Sequence, residues 1–504
     1  SHFGSSQALS PSNAPAQLRP AVRLGSAMRQ DASPEPCLLG APGGSPSYEP
    51  GSPAAAAAAA AEAARGATSA SAAAAPGRGA SPEPLPHLTG ARALAALWIV
   101  CHHTEPREKG SFFTPVLTRV DVAVEYFVLL SGFITQHVYG CREPARGLAG
   151  LARLYMRRLA RAALTAQVTT LAAVLLRWCG NFEVERGRTA ACFFLVKGWV
   201  EPAPNCPNMP TWYLEALLPS WLLYPLVTQP ALAAASGLPL PAFCLVGVAI
   251  WLAAVGPSLA LMVCNANWLT WRQVTLTWFW PPAQLADFAL GAFVAAAVRR
   301  APPARCAGLL ADLALAALLL TCLVAPLPEK PAGWDGPWHW RPGHYMRWEQ
   351  LAGRGSAPLL AAFLYGGCGQ SARASASAAL LSHRALVALG SCTLEVYLFQ
   401  APLRDLFRWI APPFRGAPWL WSGFAWGPGA FLAYLLALWL LAGLFAELVA
   451  QPLQCRLHAA VEGQTGGPRP DPRGRARHYT AIGTESDDEP GPGPLARGRP
   501  GPPL

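Results

Sequence analysis

Charged residues are scarce in this chain. Lys, Arg, Asp and Glu together make up 13% of its 504 residues, whereas hydrophobic residues make up 52%. Soluble globular domains carry about 25% charged residues, so this composition excludes an ordinary soluble domain. Both ends of the chain are nevertheless polar, which leaves the middle far more apolar than the mean. The composition therefore predicts an integral, multi-pass membrane protein.

Metal-binding patterns of cysteine are also missing. The 13 Cys residues include no CxxC pair, and no Cys and His residues have the spacing of a zinc site, so we predict no bound metal. The net charge of +11 is carried largely by Arg clusters beside apolar runs, without the aromatic interleaving or fold signature of a nucleic-acid-binding domain. We therefore predict a lipid bilayer, and no nucleic acid, as a partner.

The chain divides into three regions by composition. Residues 1–84 and 456–504 are rich in Pro, Gly and other small or polar residues and show no apolar periodicity. They cannot bury enough surface to fold alone, so we predict disordered tails. Residues 85–455 form the predicted transmembrane domain. The sequence begins at Ser1 without a Met, so whether an amino-terminal targeting signal precedes it stays open, and none is visible within it.

The middle region contains about ten apolar segments of roughly the length that crosses a bilayer. The predicted fold class is therefore all-α, a polytopic membrane bundle of about ten transmembrane helices with disordered termini. The segments lie near 88–106, 120–139, 159–178, 211–228, 233–255, 278–298, 307–326, 356–370, 385–411 and 428–449.

Arg residues indicate how the bundle is oriented. They concentrate after the second and sixth segments and in the carboxyl-terminal tail, so the positive-inside rule places both termini in the cytoplasm. Arg404, Arg408 and Arg415 break this rule: either their loop binds an acidic partner or the ninth segment is misplaced.

The loops predicted to face the other side have their own character. In 327–355, the aromatic residues are either interfacial anchors or a platform for a sugar; they are Trp334, Trp338, Trp340 and Tyr345. In 179–210, two of Cys179, Cys192 and Cys206 can pair if that compartment is oxidising, and the sequence leaves the pairing open.

The first apolar segment carries ionisable residues that a membrane span normally lacks. They are Arg92, His102 and His103, and the cost of placing such groups in a membrane makes them candidates for function. Arg92 and His103 are eleven positions apart, so at 100° per residue they leave one face of a helix, about 16 Å apart. His102 points elsewhere. This pair suits a substrate with an anionic head and a reactive end.

Motifs along residues 87–455 resemble those of the integral-membrane acyltransferase type 3 family. The most specific is an Arg and a His in the first span with ten residues between them, matched by Arg92 and His103. The family's FFVLSGF element resembles YFVLLSGF at 126–133, which follows Glu125. Further matches are Arg157, Arg158 and Arg161 at the start of span three, Trp212-Tyr213-Leu214 with Tyr224-Pro225, Asp287-Phe288 with Leu290-Gly291, and Leu394 to Pro402.

Three positions depart from the family pattern. Leu217 and Ala450 stand where the family has Glu, although Glu215 lies near the first, and Gln400 stands where it has a late-span His. These changes affect the inference about substrate class and leave the Arg92 and His103 pair intact.

The resemblance implies a membrane enzyme that transfers an acyl group, often acetyl, from acyl-coenzyme A to a hydroxyl of a glycan, lipid or metabolite. Acyl-coenzyme A is then a donor substrate, and no bound cofactor is expected. His103 would act as general base or acyl carrier. Glu125 would orient its ring and stabilise the imidazolium, or else pair with Arg119 or Arg92.

Coenzyme A carries phosphates, and its pool is cytoplasmic. Guanidinium groups bind phosphate through paired hydrogen bonds, so the predicted donor site consists of Arg92, Arg157, Arg158 and Arg161. The last three are alternatively the positive flank of span three. Trp212 and Tyr213 are candidates for binding the acceptor, with helix packing as the alternative for Trp212. Ser131 and Gly132 permit close helix approach.

Two other functions fit the same sequence. A multi-pass transporter also has many spans with buried ionisable residues, although the two halves of this chain show no evident repeat. A catalytically inactive relative, acting as a sensor or scaffold, would explain the changes at Leu217, Gln400 and Ala450. The acceptor, the acyl length, the membrane and the oligomeric state stay open at this point.

Overall fold

The described part of the chain is helical. The computed structural model describes residues 84–104, 114–140, 147–180, 184–202, 205–264, 271–324, 349–410 and 428–463. Within these ranges every regular element is a helix, and no β-strand occurs. The structure confirms the predicted all-α class. The predicted aromatic loop at 327–348, Arg415 and nearly all of both predicted tails lie outside the described residues.

A main helix lies in each of the predicted apolar segments. In chain order these helices are α1 Pro86–Thr104, α2 Val120–Tyr139, α3 Gly147–Cys179, α4 Trp212–Leu223, α5 Leu240–Cys264, α6 Leu285–Arg300, α7 Ala307–Val324, α8 Ala357–Gly366, α9 Thr393–Ile410 and α10 Pro428–Phe445.

Short helices connect the main ones. The α-helical ones are Thr114–Thr118, Arg186–Phe193, Lys197–Val200, Gln229–Ala235, Trp271–Trp278, Glu349–Gly355, Gly369–Ala372, Ala376–Leu381, Arg384–Ser391 and Gln451–Gly463. Two 3₁₀ turns, Met209–Thr211 and Pro281–Gln284, and two π-helical turns, Tyr224–Thr228 and Ala446–Ala450, complete the described elements. The last helix ends at Gly463, so helical structure extends into the stretch predicted as a tail.

The prediction of about ten spans is confirmed only in part. Among the described helices, six are long and apolar enough to cross a membrane, and a seventh is counted if Arg384–Ser391 and the first part of α9, bent by 62°, form one span. The six lie in α2, α3, α5, α6, α7 and α10. The helix α1 is less apolar because of its Arg and His residues. The helices α4 and α8 have only 12 and 10 residues.

The helices α2 and α6 form the centre of the bundle. Buried residues make up 67% of the α2 span and 61% of the α6 span, against 22% for α5. Their backbones meet at two glycines: a Cβ on Gly132 would overlap the carbonyl oxygen of Phe288, and a Cβ on Gly291 would overlap that of Leu129. Only Gly permits this approach. Exposed leucines on α5, α7 and α10 form the surface that suits lipid.

The helix α1 is held in the same way by its neighbours. A Cβ on Gly90 would overlap the carbonyl oxygen of Leu381, and a Cβ on Gly390 would overlap that of Thr89. These contacts fix the first half of α1 against the helices Ala376–Leu381 and Arg384–Ser391, which directly precede α9. Backbone contact therefore sets the rotation of α1 relative to these two helices.

One of the arginines that break the orientation rule is buried. Arg404 lies within α9 with 4% of its surface exposed, and its guanidinium is 3.7 Å from the carboxylate of Asp405. It is therefore a residue of the bundle interior and does not form part of an exposed loop. The side chain of Arg408 lies outside the described residues.

Candidate active site

Arg92 and His103 lie on one continuous helix, α1. The Nδ1 atom of His103 is 3.0 Å from Oε1 of Gln400 on α9. The guanidinium of Arg92 interacts electrostatically with Glu395, which also belongs to α9. The two predicted residues therefore face the same neighbouring helix, as their spacing predicts.

Gln400 determines which nitrogen of His103 carries the proton. Its Nε2 donates a hydrogen bond of 2.8 Å to the carbonyl of Tyr397, which turns Oε1 toward His103. An amide oxygen only accepts, so Nδ1 of His103 carries a proton, and in the neutral ring Nε2 holds the lone pair. The hydroxyl of Tyr434 on α10 donates to the carbonyl of Gln400 at 2.8 Å and supports this arrangement.

His102, the next residue, faces another way. Its Nδ1 lies 2.6 Å from the carbonyl oxygen of Leu117, in the short helix that precedes α2. Successive side chains of a helix diverge by 100°, so the two imidazoles lie in different surroundings although their ring centres are 5.4 Å apart. His102 thus holds the connection between α1 and α2, whereas His103 faces α9.

Two guanidinium groups of α3 are held beside the first half of α1. Arg161 forms a bidentate ion pair with Glu395, with distances of 2.8 and 2.9 Å, and the Glu395 side chain has 0% of its surface exposed. Arg158 donates to the hydroxyl of Ser131 at 3.2 Å, and its guanidinium carbon lies 5.4 Å from the ring centre of Trp221. Such pairs hold the guanidinium planes in place.

This guanidinium cluster, defined as Arg92, Arg158 and Arg161, carries excess positive charge. Arg161 acts electrostatically on Arg92, and Arg92 acts on Arg158. Glu395 is the carboxylate that acts on the cluster within the described part of the chain, so three positive charges and one negative charge leave a net charge of two. Partly buried excess charge favours an anionic ligand.

The remaining predicted donor-site residue is Arg157. It lies in α3 beside Arg158, and its side chain is outside the described residues. Its part in a phosphate site therefore stays a prediction.

Tyr213 lies beside the guanidinium cluster and packs against α9. Its ring centre is 5.5 Å from that of Tyr397 and 6.4 Å from that of Phe127, and Arg92 and Arg158 both act on it electrostatically. Trp212 instead packs edge-on against Phe279, with ring centres 4.7 Å apart. Of the two predicted acceptor-binding residues, Tyr213 thus lies near Arg92 and α9, and Trp212 packs in the core.

Glu125 belongs to a different cluster. It is fully buried and interacts with Asp287 on α6 and with Arg354, whose Nε lies 3.2 Å from the carboxylate of Asp287. The neighbouring residue Tyr126 faces α1, because its hydroxyl donates to the carbonyl of Leu88 at 3.1 Å. A side chain one position earlier leaves the helix about 100° away, so Glu125 faces α6.

Two residues of the site were not singled out from the sequence. In the sequence Gln400 stands out only as a departure from the family pattern, and Glu395 lies within the Leu394–Pro402 match without a role of its own. Glu395 could have been found as an ionisable residue in an apolar segment. The contact of Gln400 with His103 depends on how α9 packs against α1, which no local sequence signal shows.

The segment before α4 is closed by a disulfide. Cys192 and Cys206 are bonded, with Cα atoms 5.8 Å apart, which decides the pairing that the sequence left open.

The Glu215 carboxylate lies beside this disulfide and accepts a hydrogen bond of 2.6 Å from the Gly198 backbone N–H. It lies within 4.8 Å of both sulfurs, but two bonded sulfurs supply no thiolate for a metal. Burial lowers the pKa of Lys197 to about 8, although Glu201 and Glu215 favour its charged form.

We expect the loss of this disulfide to lower stability. The replacement Cys206→Ser should reduce the free energy of unfolding by about 3 kcal/mol, because a loop of this length no longer restricts the unfolded chain. Thermal unfolding of the purified protein in detergent measures the change. Cys179→Ser, at an exposed free cysteine, is the matched control and should leave the melting temperature unchanged. Equal melting temperatures for Cys206→Ser and the parent protein would contradict the expectation.

Long apolar helices enclosing an imidazole and a guanidinium cluster define an integral membrane protein with a site suited to an anionic substrate. The family model described as an acyltransferase domain matches residues 85–443. This is more than half of the chain, and the chain therefore belongs to the acyltransferase type 3 family. It is accordingly a membrane acyltransferase. Searches of curated proteins and of solved structures return no match.

Proposed function

We propose that this protein transfers an acyl group, most simply acetyl, from cytoplasmic acyl-coenzyme A to a hydroxyl of a glycan, lipid or metabolite. The proposal depends on one observation: the Arg92 guanidinium, in the first half of α1, and the His103 imidazole, near its end, face the same helix, α9. A donor with phosphates at one end and a thioester at the other matches this distribution of charge and base.

The phosphates of the donor would bind at the guanidinium cluster. Arg161 is neutralised by its ion pair with Glu395, whereas Arg92 makes no hydrogen bond to another described residue. Arg92 therefore supplies the guanidinium best able to accept phosphate oxygens, and Arg158 adds charge beside it. The pantetheine arm would run from there along the face shared by α1 and α9, over about 16 Å of helix, to His103.

His103 would activate the acceptor. The lone pair on Nε2 takes the proton of the acceptor hydroxyl while its oxygen bonds to the thioester carbonyl carbon. The carbon–sulfur bond then breaks, and the imidazolium returns the proton to the thiolate, which releases coenzyme A. In the alternative route, Nε2 first accepts the acyl group and then passes it to the hydroxyl. Gln400 holds the required tautomer in both routes.

Two features support the proposed orientation, with both termini in the cytoplasm. At one end of the bundle, Arg299 donates to the carbonyl of Gln136 at 2.7 Å and Arg300 donates to that of Leu238, so cations cover the helix ends that we assign to the cytoplasm. At the other end, the disulfide between Cys192 and Cys206 suits an oxidising compartment. The acceptor would then reach His103 from the membrane or from the far side.

Acyl transfer by the purified protein tests the function. The protein in detergent or liposomes is incubated with radiolabelled acetyl-coenzyme A and a panel of glycans, lipids and hydroxyl metabolites, and labelled product is counted. We expect time-dependent label in at least one acceptor and release of free coenzyme A. Donor binding without either product would indicate an inactive relative, and movement of a substrate across liposomes without thioester cleavage would indicate a transporter.

The donor site makes a separate prediction at Arg92. Arg92→Ala should weaken the binding of acyl-coenzyme A about 10- to 100-fold, the value of one or two charge-assisted hydrogen bonds. Titration calorimetry with coenzyme A measures the dissociation constant. Arg153→Ala, at an exposed position on α3, is the control.

A phosphate-free donor sharpens this test. With an acyl-pantetheine donor, which lacks the nucleotide phosphates, the parent protein and Arg92→Ala should give the same turnover. A defect of equal size with both donors would show that Arg92 acts elsewhere than on phosphate.

A further inference from the structure

The helix α9 contains a proline at the point where it approaches His103. Pro402 lies inside α9 and has no backbone N–H, so the carbonyl of Leu398, four residues earlier, lacks its helical partner. The side-chain Nδ2 of Asn208 donates a hydrogen bond of 3.1 Å to this carbonyl. A residue from another part of the chain thus supplies the bond that the proline removes.

Asn208 is placed for this contact by its own segment. It has 0% of its surface exposed and lies two positions after Cys206, the second cysteine of the disulfide. Its backbone carbonyl accepts a hydrogen bond of 2.8 Å from the hydroxyl of Thr211, which fixes the turn leading into α4. The disulfide and this turn together hold the Asn208 side chain against α9.

The Asn208 amide is tied to α9 through its donor end. Its Oδ1 is buried and has no hydrogen-bond partner among the described residues. Leaving a buried acceptor without a partner is unfavourable, so hydrogen bonding of the Asn208 side chain does not by itself explain why Asn occupies this position. The Nδ2 atom of the amide does have a partner, because it donates to the Leu398 carbonyl.

The turn that Asn208 completes is the one that holds His103. The carbonyl of Tyr397, next to Leu398, accepts from Nε2 of Gln400, and Oε1 of Gln400 faces Nδ1 of His103. If the Leu398 carbonyl lost this hydrogen-bond partner, the backbone of this turn of α9 would shift so that the carbonyl could reach another donor. Gln400 would then move, and the imidazole with it.

We propose that Asn208 is a positioning residue for acyl transfer, which rests on the proposed function: its amide replaces the helix bond missing at Pro402 and thereby keeps Gln400 against His103. Asn208 acts through Leu398 and Gln400. A shift of about 1 Å at a reacting group can lower a rate about 100-fold, so the effect should be on turnover more than on donor binding.

Three variants test the positioning role through acyl transfer. Asn208→Ala should lower kcat about 10-fold or more, with the donor KM changed by less than about twofold. Asn208→Leu keeps nearly the same side-chain size and has no hydrogen-bond donor, so it should be impaired as much as Asn208→Ala. Pro402→Ala restores a backbone N–H, so the double variant Asn208→Ala/Pro402→Ala should recover the kcat of Pro402→Ala alone.

Contrary outcomes are equally specific. Full activity of Asn208→Leu would show that the Leu398 carbonyl needs no donor from residue 208 and would overturn the proposal. A double variant as impaired as Asn208→Ala, with Pro402→Ala itself active, would do the same. If Pro402→Ala is inactive, the activity of Asn208→Leu and the reactivity of His103 toward diethyl pyrocarbonate decide. Melting temperatures of all variants separate misfolding from loss of positioning.

A readout without turnover separates this proposal from the proposed function. Diethyl pyrocarbonate modifies imidazole, and mass spectrometry measures its rate at His103 and, as a control, at His102. Asn208→Ala should change the rate at His103 at least threefold and leave that at His102 unchanged. This change in a protein that transfers no acyl group would refute the proposed function and keep the positioning role. Unchanged rates at His103 would refute the positioning role.

Discussion

Replacing His103 with Ala is expected to lower the rate of acyl transfer about 10²- to 10⁴-fold, the usual contribution of a general base. The residue lies at the end of α1, and Gln400 sets its tautomer through the contact at 3.0 Å. The donor should still bind with nearly the parent affinity, because the guanidinium cluster is unchanged. Initial rates with labelled acetyl-coenzyme A and the identified acceptor, together with the dissociation constant for coenzyme A, measure both quantities.

The neighbouring histidine provides a matched control. His102→Gln changes an imidazole one position away whose Nδ1 contacts the Leu117 carbonyl, so we expect a rate within about threefold of the parent. Equal losses for His102→Gln and His103→Ala would point to damage of α1. Full transfer by His103→Ala would remove His103 from the mechanism and leave the guanidinium cluster without its proposed reaction partner.

A single-turnover experiment on the parent protein distinguishes whether His103 acts as a general base or as an acyl carrier. In a single turnover with labelled acetyl-coenzyme A and no acceptor, an acyl carrier accumulates label on the protein, up to one equivalent, and releases one equivalent of coenzyme A. A general base releases none. Label found on the peptide that contains His103, and lost in His103→Ala, would identify the covalent route.

The second large effect concerns stability. Gly132→Ala and Gly291→Ala should each lower the free energy of unfolding by about 3 kcal/mol, and the double variant should fail to accumulate as folded protein. In each case the added Cβ would overlap a backbone carbonyl oxygen, of Phe288 or of Leu129. A backbone atom cannot rotate away as a side chain does, so the two central helices must separate. Thermal unfolding in detergent and the folded yield measure the loss.

A third glycine shows whether the effect depends on the helix crossing. A Cβ at Gly443 in α10 meets nothing within 4 Å, so Gly443→Ala should be neutral or raise stability by up to about 1 kcal/mol, because Ala loses less backbone entropy in a helix. A loss at Gly443→Ala similar to that at Gly132→Ala would contradict the proposed crossing, as would normal stability of Gly132→Ala.

Properties that depend on neighbouring residues in one segment were accessible from the sequence. The helical character of each apolar segment follows from length and composition, and a family motif marks Arg92 and His103. Their common face follows from helix periodicity alone. The number of helices able to cross a membrane was less accessible, because α4 and α8 are shorter than a span and the helix before α9 is bent by 62°. Where a helix ends early or bends depends on how it packs against its neighbours.

Which residues contact each other across helices could not be predicted from the sequence. Glu125, adjacent to the family's aromatic element, was a plausible orienting group for His103, yet it faces Asp287 and Arg354, and Gln400 contacts the ring. In the same way, three cysteines were candidates for one bond, and the fold brings Cys192 to Cys206. Each outcome depends on how one element is rotated and placed against another.

The sequence by itself thus determined an all-helical membrane acyltransferase with a cation and an imidazole on one face of its first helix, because composition and a period of 3.6 residues are local properties. The tertiary structure alone decided that α9 lies against that face, that Glu395 and Gln400 meet the two groups, and that Asn208 completes α9 at Pro402. These contacts join residues up to about 300 positions apart, and they depend on backbone approach at glycines whose neighbours lie in other helices.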